Sequence, residues 1–173
     1  EKIDPSIRPG GVFMVQLLMK ERCEMPSTER AVEVLTRHIG RVDAAKSSDN
    51  PDLFDKMNGL ALFMAMEHIG HFQEKRAPVQ VSFMPCDTFH PETIDEMKRS
   101  QMWDVQADRD RILSECKSCV FANDILGGAL EPLERANFLM DYLEALLELF
   151  PTCEAVYSLN SGKMILADTV RNG

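Results

Sequence analysis

The residues whose spacing most invites chemistry lie in "SECKSCVFAND", residues 114–124, where Cys116 and Cys119 form a Cys-x-x-Cys pair. That spacing serves redox dithiols and makes half of many zinc sites. A redox dithiol follows a strand and opens a helix, whose positive start stabilises the thiolate. The periodicity here predicts the reverse order, a helix ending at Cys116 and a strand opening at Cys119. A helix C-terminus disfavours a thiolate, and a Cys heading an apolar strand packs as a small hydrophobe. Both thiols are therefore expected to be reduced and metal-free. Zinc would need two more ligands, and the nearest half-motifs are Cys86 with His90 in "CDTFH" and His68 with His71 in "HIGH". On a strand, positions i and i+3 face opposite sides, so the two histidines do not converge. Neither half-motif has a standard zinc spacing, and no metal or cofactor is expected.

Other chemistries lack their constellations. There is no Gly-x-Ser-x-Gly elbow, and Ser158 and Ser161 sit near a hairpin turn. Cys153 precedes a strand without a helix start to activate it. No phosphate loop is present, and Glu131 beside "ILGGALE" would repel a phosphate. Asp108 and Asp110 alternate with Arg109 and Arg111 as a solvated helix face does. Asp124 ends the strand "VFAND"; such an acid either projects into a ligand crevice or forms the turn before a glycine loop, and the turn is the preferred reading. Trp103, the single tryptophan, either anchors the junction between two helices or lines a groove, and packing is preferred. No catalytic residue is assigned.

The elements that must position these residues follow from periodicity. "GGVFMVQLLMKE" is apolar on both faces and predicts a central strand. "STERAVEVLTRHIG" predicts a helix capped by Ser27 and closed by Gly40, with Val32, Leu35 and Ile39 inward. A short edge strand is expected in "RVDAAKSS", then a loop, then a hairpin of "LALFMAMEHIGHF" with "VQVSFMP", Val79, Val81 and Phe83 pointing inward. Pro91 suits the start of a helix with Ile94 and Met97 on its inner side. Asp104 is a potential cap for a second helix, "VQADRDRILSEC", whose inner side is Ala107 or Asp108, Ile112 and Cys116. "LEPLERANFLMDYLEALLELF" is the clearest helix; Leu133, Ala136, Met140, Leu143, Leu147 and Phe150 form its expected core stripe. Met14, Met64, Met66, Met84 and Met140 are expected as core filler. "CEAVYSL" and "KMILAD" predict a last strand and its hairpin mate. The order β-α-β-β-β-α-α-β-α-β defines an α+β class, a mixed and largely antiparallel sheet with helices packed on it.

The 173 residues, 45 % hydrophobic, suit a single domain over 1–173 with a weak subdivision near 86–92. A formal charge of −9 argues against nucleic acid and anionic membranes, and no apolar run is long enough for a membrane span. The acids of the last long helix either serve only to keep the protein soluble, the preferred reading, or, if the chain has a macromolecular partner, predict a protein with a basic surface. Five cysteines, an odd number, and a start without a signal pattern point to a reducing cytoplasm. The first residue is Glu1 rather than Met, so the chain is read as trimmed or as a fragment.

Over most of residues 11–165, and chiefly in "RSQMWD…ILSECKSCVFANDILGGALEPLERANFLMDYLEALLELFPTCEAVYSLNSGKMI", the chain resembles the upstream half of the bacterial domain-of-unknown-function-4261 family. Its motif residues are matched by Ser100, Gln101, Trp103, Asp104, Cys116, Asp124, Arg135, Cys153, Ala155, Tyr157, Asn160 and Ser161, and "VFMVQLLMKE" fits the same pattern. "GALEPLER" departs from the Leu-Pro pair of the family. The resemblance implies a further C-terminal segment and no established activity. It leaves Trp103, Asp124, Asn160 and Ser161 as candidate ligand-binding residues. The expected function is a non-enzymatic domain that binds a protein or a small ligand. The competing expectation is an enzyme whose crevice gathers Asp124, Trp103 and one of Cys116, Cys119 or His90.

Overall fold

The computed structural model describes residues 13–44, 60–72, 74–86, 88–102 and 105–173. Trp103 and Asp104 lie outside the described residues. Strand β1 (Met14–Met19) is the apolar run expected at the centre of the sheet. Helix α1 (Thr28–Ile39) begins where Ser27 Oγ accepts the Arg30 amide at 3.2 Å. It stops at Gly40, whose φ of 84° is left-handed backbone that glycine adopts without a Cβ penalty. Strands β2 (Val42–Ala44), β3 (Ala61–Phe72) and β4 (Lys75–Cys86) follow. Short helices α2 (Glu96–Ser100) and α3 (Arg109–Glu115) lead to β5 (Ser118–Ile125). Helix α4 (Pro132–Leu149) opens with proline, and β6 (Ala155–Ser158), β7 (Met164–Leu166) and α5 (Ala167–Asn172) complete the chain.

The strands form one seven-stranded sheet in the order β2-β3-β4-β5-β1-β6-β7. Every pairing is antiparallel, so the protein is an α+β fold as its element order implied. Residues on either side of 86–92 share this sheet, because β4 pairs directly with β5.

The pleat sorts the core into two clusters. On one face Val15 and Leu17 of β1, Val81 and Phe83 of β4 and Val120 and Ala122 of β5 pack beneath α1 and α4. Phe83 meets Phe150 edge-on at 5.7 Å, and the Tyr142 hydroxyl donates to the Ser82 carbonyl at 2.9 Å. On the other face Leu18, Cys119, Ala155 and Tyr157 pack against Ile94, Ile112, Leu113 and Cys116 of the α2–α3 segment. β1 contributes to both clusters, which is why its sequence lacks a polar side.

Several expected faces are corrected. In α4 the buried residues are Phe138, Tyr142, Leu143, Ala145, Leu146, Leu147 and Leu149, whereas Leu133 is 75 % and Met140 50 % exposed and Ala136 is exposed. The helix has apolar residues on more than one side, and the aromatic rings with Arg135 take the inward side because they offer more area and an ionic partner. In α1 Ala31 and Val34 join Leu35 and Ile39 inside, and Val32 is only partly buried at the margin. Met97 is exposed because α2 is too short to bury a full stripe. Helix α3 starts at Arg109, leaving Ala107 outside it and exposed. Met84 is exposed and Met14, Met64 and Met66 are half-buried, because they occupy the sheet face that carries fewer helices. Met19, Met102 and Met164 are the methionines that fill the core.

Candidate functional site

Asp124 is completely buried, on the β5 face beneath α4. Its Oδ1 accepts the Phe13 amide at 2.8 Å, and its own amide donates to the Phe13 carbonyl at 3.2 Å. Its Oδ2 lies 3.6 Å from Arg135 Nη2 on α4, an ion pair longer than a hydrogen bond. A Cβ on Gly127 would fall 1.7 Å from that oxygen, so only glycine lets the turn after β5 close over the carboxylate. Burial pushes the Asp124 carboxyl above its ordinary value of 3.8, against the opposing pull of the Phe13 amide and Arg135.

Asn160 reaches the same place from the β6–β7 turn. Its Oδ1 accepts the Met14 amide at 2.9 Å, while the Leu159 amide donates to the Met14 carbonyl at 3.0 Å. Two of the four candidate ligand-binding residues thus converge, and they hold consecutive amides at the start of the central strand. Ser161 accepts the Lys163 amide at 3.4 Å within the turn. Trp103 cannot be placed, lying outside the described residues.

Among the described residues, the members of the crevice expected for an enzyme do not converge. Cys119 and Asp124 are an odd number of positions apart on β5, so they face opposite sides of the sheet. They are also separated by about 17 Å along the strand at about 3.4 Å per residue. His90 is exposed near the Cys119 end, its Nδ1 2.9 Å from Glu92. His68 sits on the opposite face, its ring tilted at 53° against Phe138 with centroids 4.7 Å apart and Nε2 3.0 Å from the Ile39 carbonyl. A register shift between Ala65 and Ile69 turns it inward. Among the described residues no cluster of three or more metal-ligating side chains occurs.

The thiols occupy the order that the sequence implied, Cys116 ending α3 and Cys119 lying in β5. Burial pushes the Cys116 thiol up to about 11 and the Cys119 and Cys153 thiols up to about 12. Sequence spacing pairs Cys119 with Cys116, but strand register sets it directly opposite Cys86 of β4.

A cavity of about 850 Å³ opens at the end of β1. Its walls are the segment Lys20–Glu24, the start of α3 with Asp108 and Arg111, the Pro151–Glu154 turn, and α5 with Asp168 and Arg171. Charges of both signs alternate around it. Lys20 lies 3.6 Å from Glu154, Arg111 3.1 Å from Asp108, and Arg171 3.0 Å from Asp168. Arg171 also donates to the Pro151 and Cys153 carbonyls at 2.9 and 3.2 Å, fixing the wall formed by the turn. Sequence reading missed this cleft because its residues come from four separate segments. The only signal was the density of Lys, Arg, Asp and Glu at element ends.

The acidic side of α4 is partly neutralised within the chain. Glu148 receives Arg37 at 2.5 Å and His38 at 2.6 Å, and Glu134 lies 3.4 Å from His68. These contacts hold the Glu148 carboxyl below its ordinary value. No helix among the described residues is long and apolar enough to cross a membrane.

These features define an α+β protein with a large antiparallel sheet, two buried clusters and a mixed-charge cleft at one sheet end. No protein-family model, curated protein or solved structure matches the chain.

Proposed function

We propose that this chain is a non-catalytic binding domain for a small zwitterionic molecule, of the chemical class of free amino acids and short peptides. The observation that supports this reading is the 850 Å³ cleft at the end of β1, bordered by Lys20, Arg111 and Arg171 and by Asp108, Glu154 and Asp168. A single-sign ligand would meet repulsion from half of this lining, whereas a ligand carrying both signs exchanges one set of ion pairs for another. The buried, protonated thiols and the enclosed Asp124 offer no activated group to such a ligand.

Thermal unfolding in the presence of glycylglycine, glutamate and lysine tests the reading, with citrate and spermidine as single-sign controls. A ligand at 100 times its Kd stabilises by about 2.7 kcal/mol. Stabilisation by the zwitterions that is lost in Arg111→Gln and Asp108→Asn supports the proposal. No stabilisation, or stabilisation only by citrate or spermidine, overturns it.

A second reading rests on the outer side of α4, where Leu133 and Met140 are exposed beside Glu134, Asp141 and Glu144. Apolar anchors rimmed by carboxylates suit a basic protein surface. Binding of an amphipathic Lys/Leu peptide that weakens with salt and slows on charge reversal at Asp141 favours this reading. Binding unchanged by either removes it.

A further inference from the structure

Cys86 and Cys119 are 33 positions apart in sequence and directly opposite one another in the β4–β5 ladder. Directly opposed residues of an antiparallel pair share a face and hold their Cα atoms about 4.5 or 5.5 Å apart. Both values fall inside the roughly 4.4–6.8 Å that a disulfide spans. Cys119 belongs to the second core cluster and Cys86 packs at its margin, so the two side chains point into the same space. Exposure divides them, since Cys86 is half-buried and Cys119 is 1 % exposed. No other thiol has this arrangement with Cys119: Cys116 is separated from it by the turn between α3 and β5.

We propose that Cys86 and Cys119 form a hydroperoxide-responsive thiol pair, with Cys86 as the site of attack and Cys119 as the resolving thiol. In the first step the Cys86 sulfur, as thiolate, attacks one oxygen of a hydroperoxide. The O–O bond breaks, the other oxygen leaves with a proton as water or an alcohol, and Cys86 becomes a sulfenic acid. In the second step the Cys119 sulfur attacks the Cys86 sulfur, the S–O bond breaks, and the hydroxyl leaves as water with the Cys119 proton. Each sulfur gives up one electron and the hydroperoxide gains two. The cross-strand geometry supplies the second step, because the resolving sulfur is already in place and β4 and β5 need not separate. Burial of Cys119 directs the oxidant to Cys86 and protects the resolving thiol from oxidation on its own account. A dithiol reductant reverses the change by attacking the half-exposed Cys86 sulfur. Cys116 and Cys153 remain thiols throughout.

The test uses the full chain exposed to hydrogen peroxide or tert-butyl hydroperoxide, then alkylated under denaturing conditions, digested and mapped by mass. The expected product is a Cys86–Cys119 linked peptide lighter by two hydrogens, with Cys116 and Cys153 alkylated, and dithiothreitol restores all thiols. Cys86→Ser abolishes the linked peptide, and Cys119→Ala replaces it with a dimedone-trappable sulfenic acid at Cys86. A Cys116–Cys119 link, a Cys86 that stays alkylatable while Cys23 oxidises, or a Cys86 carried to sulfinic acid beside an untouched Cys119 overturns the proposal. The mapping of the unsubstituted chain decides the matter even if a variant fails to fold.

Discussion

The two faces of the sheet are built from the same strands and behave differently. The face under α1 and α4 is sealed by helices of 12 and 18 residues, and its buried ion pair, Asp124 with Arg135, is closed in by Gly127. The opposite face carries α2 and α3, of 5 and 7 residues, and leaves Cys86 half-buried and Met84 exposed. Helix length accounts for the contrast. A helix of about three to five turns presents a continuous stripe that excludes water from several strands at once, whereas about one or two turns cover only the strands immediately below. The sealed face can hold a buried charge in place. The thinly covered face leaves a thiol where an oxidant can reach it.

Breaking the ion pair should produce the largest loss on the sealed face. Arg135→Met leaves the Asp124 carboxylate buried without its counter-charge and should cost about 3–5 kcal/mol in urea unfolding. Adding Asp124→Asn should recover most of that loss, because an amide oxygen still accepts the Phe13 hydrogen bond. A double variant no more stable than the single one would show that the pair is not coupled.

Apolar truncation sharpens the comparison next. Leu143→Ala on the sealed face should cost about 2–5 kcal/mol by leaving a cavity, and Ile112→Val beneath α3 about 0.5–1.5 kcal/mol. Leu133→Ala and Glu144→Ala, both on the outer side of α4, should stay within about 0.5 kcal/mol. A Leu133 loss equal to that of Leu143 would place the inward side of α4 where periodicity alone put it.

The smallest expected effect is a difference in pH dependence. Glu148 has its carboxyl held below the ordinary value of 4.5 by Arg37 and His38, so its contribution is present above that pH and lost as pH falls through the lowered value. Asp124 is raised by burial, so its contribution is greatest below 3.8 and declines as pH rises through the raised value. Glu148→Gln should flatten the acid side of a stability–pH curve, and Asp124→Asn should remove a decline on its higher-pH side. Shifts of the same sign from both variants would contradict the two environments.

Much of the fold was legible because its signals are local. Ser27 and Gly40 bound α1, and alternation in "VQVSFMP" points Val79, Val81 and Phe83 inward, as observed. The inward side of α4 was not legible, because Leu133 and Met140 compete with Phe138 and Tyr142 for it. Arg135 was visible as one of the motif residues of the resemblance, and nothing nearby in sequence showed that a buried carboxylate awaited it. Asp124 and Asn160 are candidate ligand-binding residues by sequence, and in the structure their side chains hold the amides of Phe13 and Met14. A side chain that grips a distant backbone and one that grips a ligand leave the same trace in a single sequence.

The sequence by itself determined the element order from β1 to β6, the central place of β1 and the separation of Cys116 from a helix start, since each depends on hydrophobic period and capping within about a dozen residues. Tertiary structure alone decided which side of α4 turns inward, which four segments meet at the cleft, and which thiol faces Cys119. These are properties of strand register and helix rotation. A shift of one residue in the β4–β5 ladder would leave every local pattern nearly unchanged and would carry Cys86 away from Cys119.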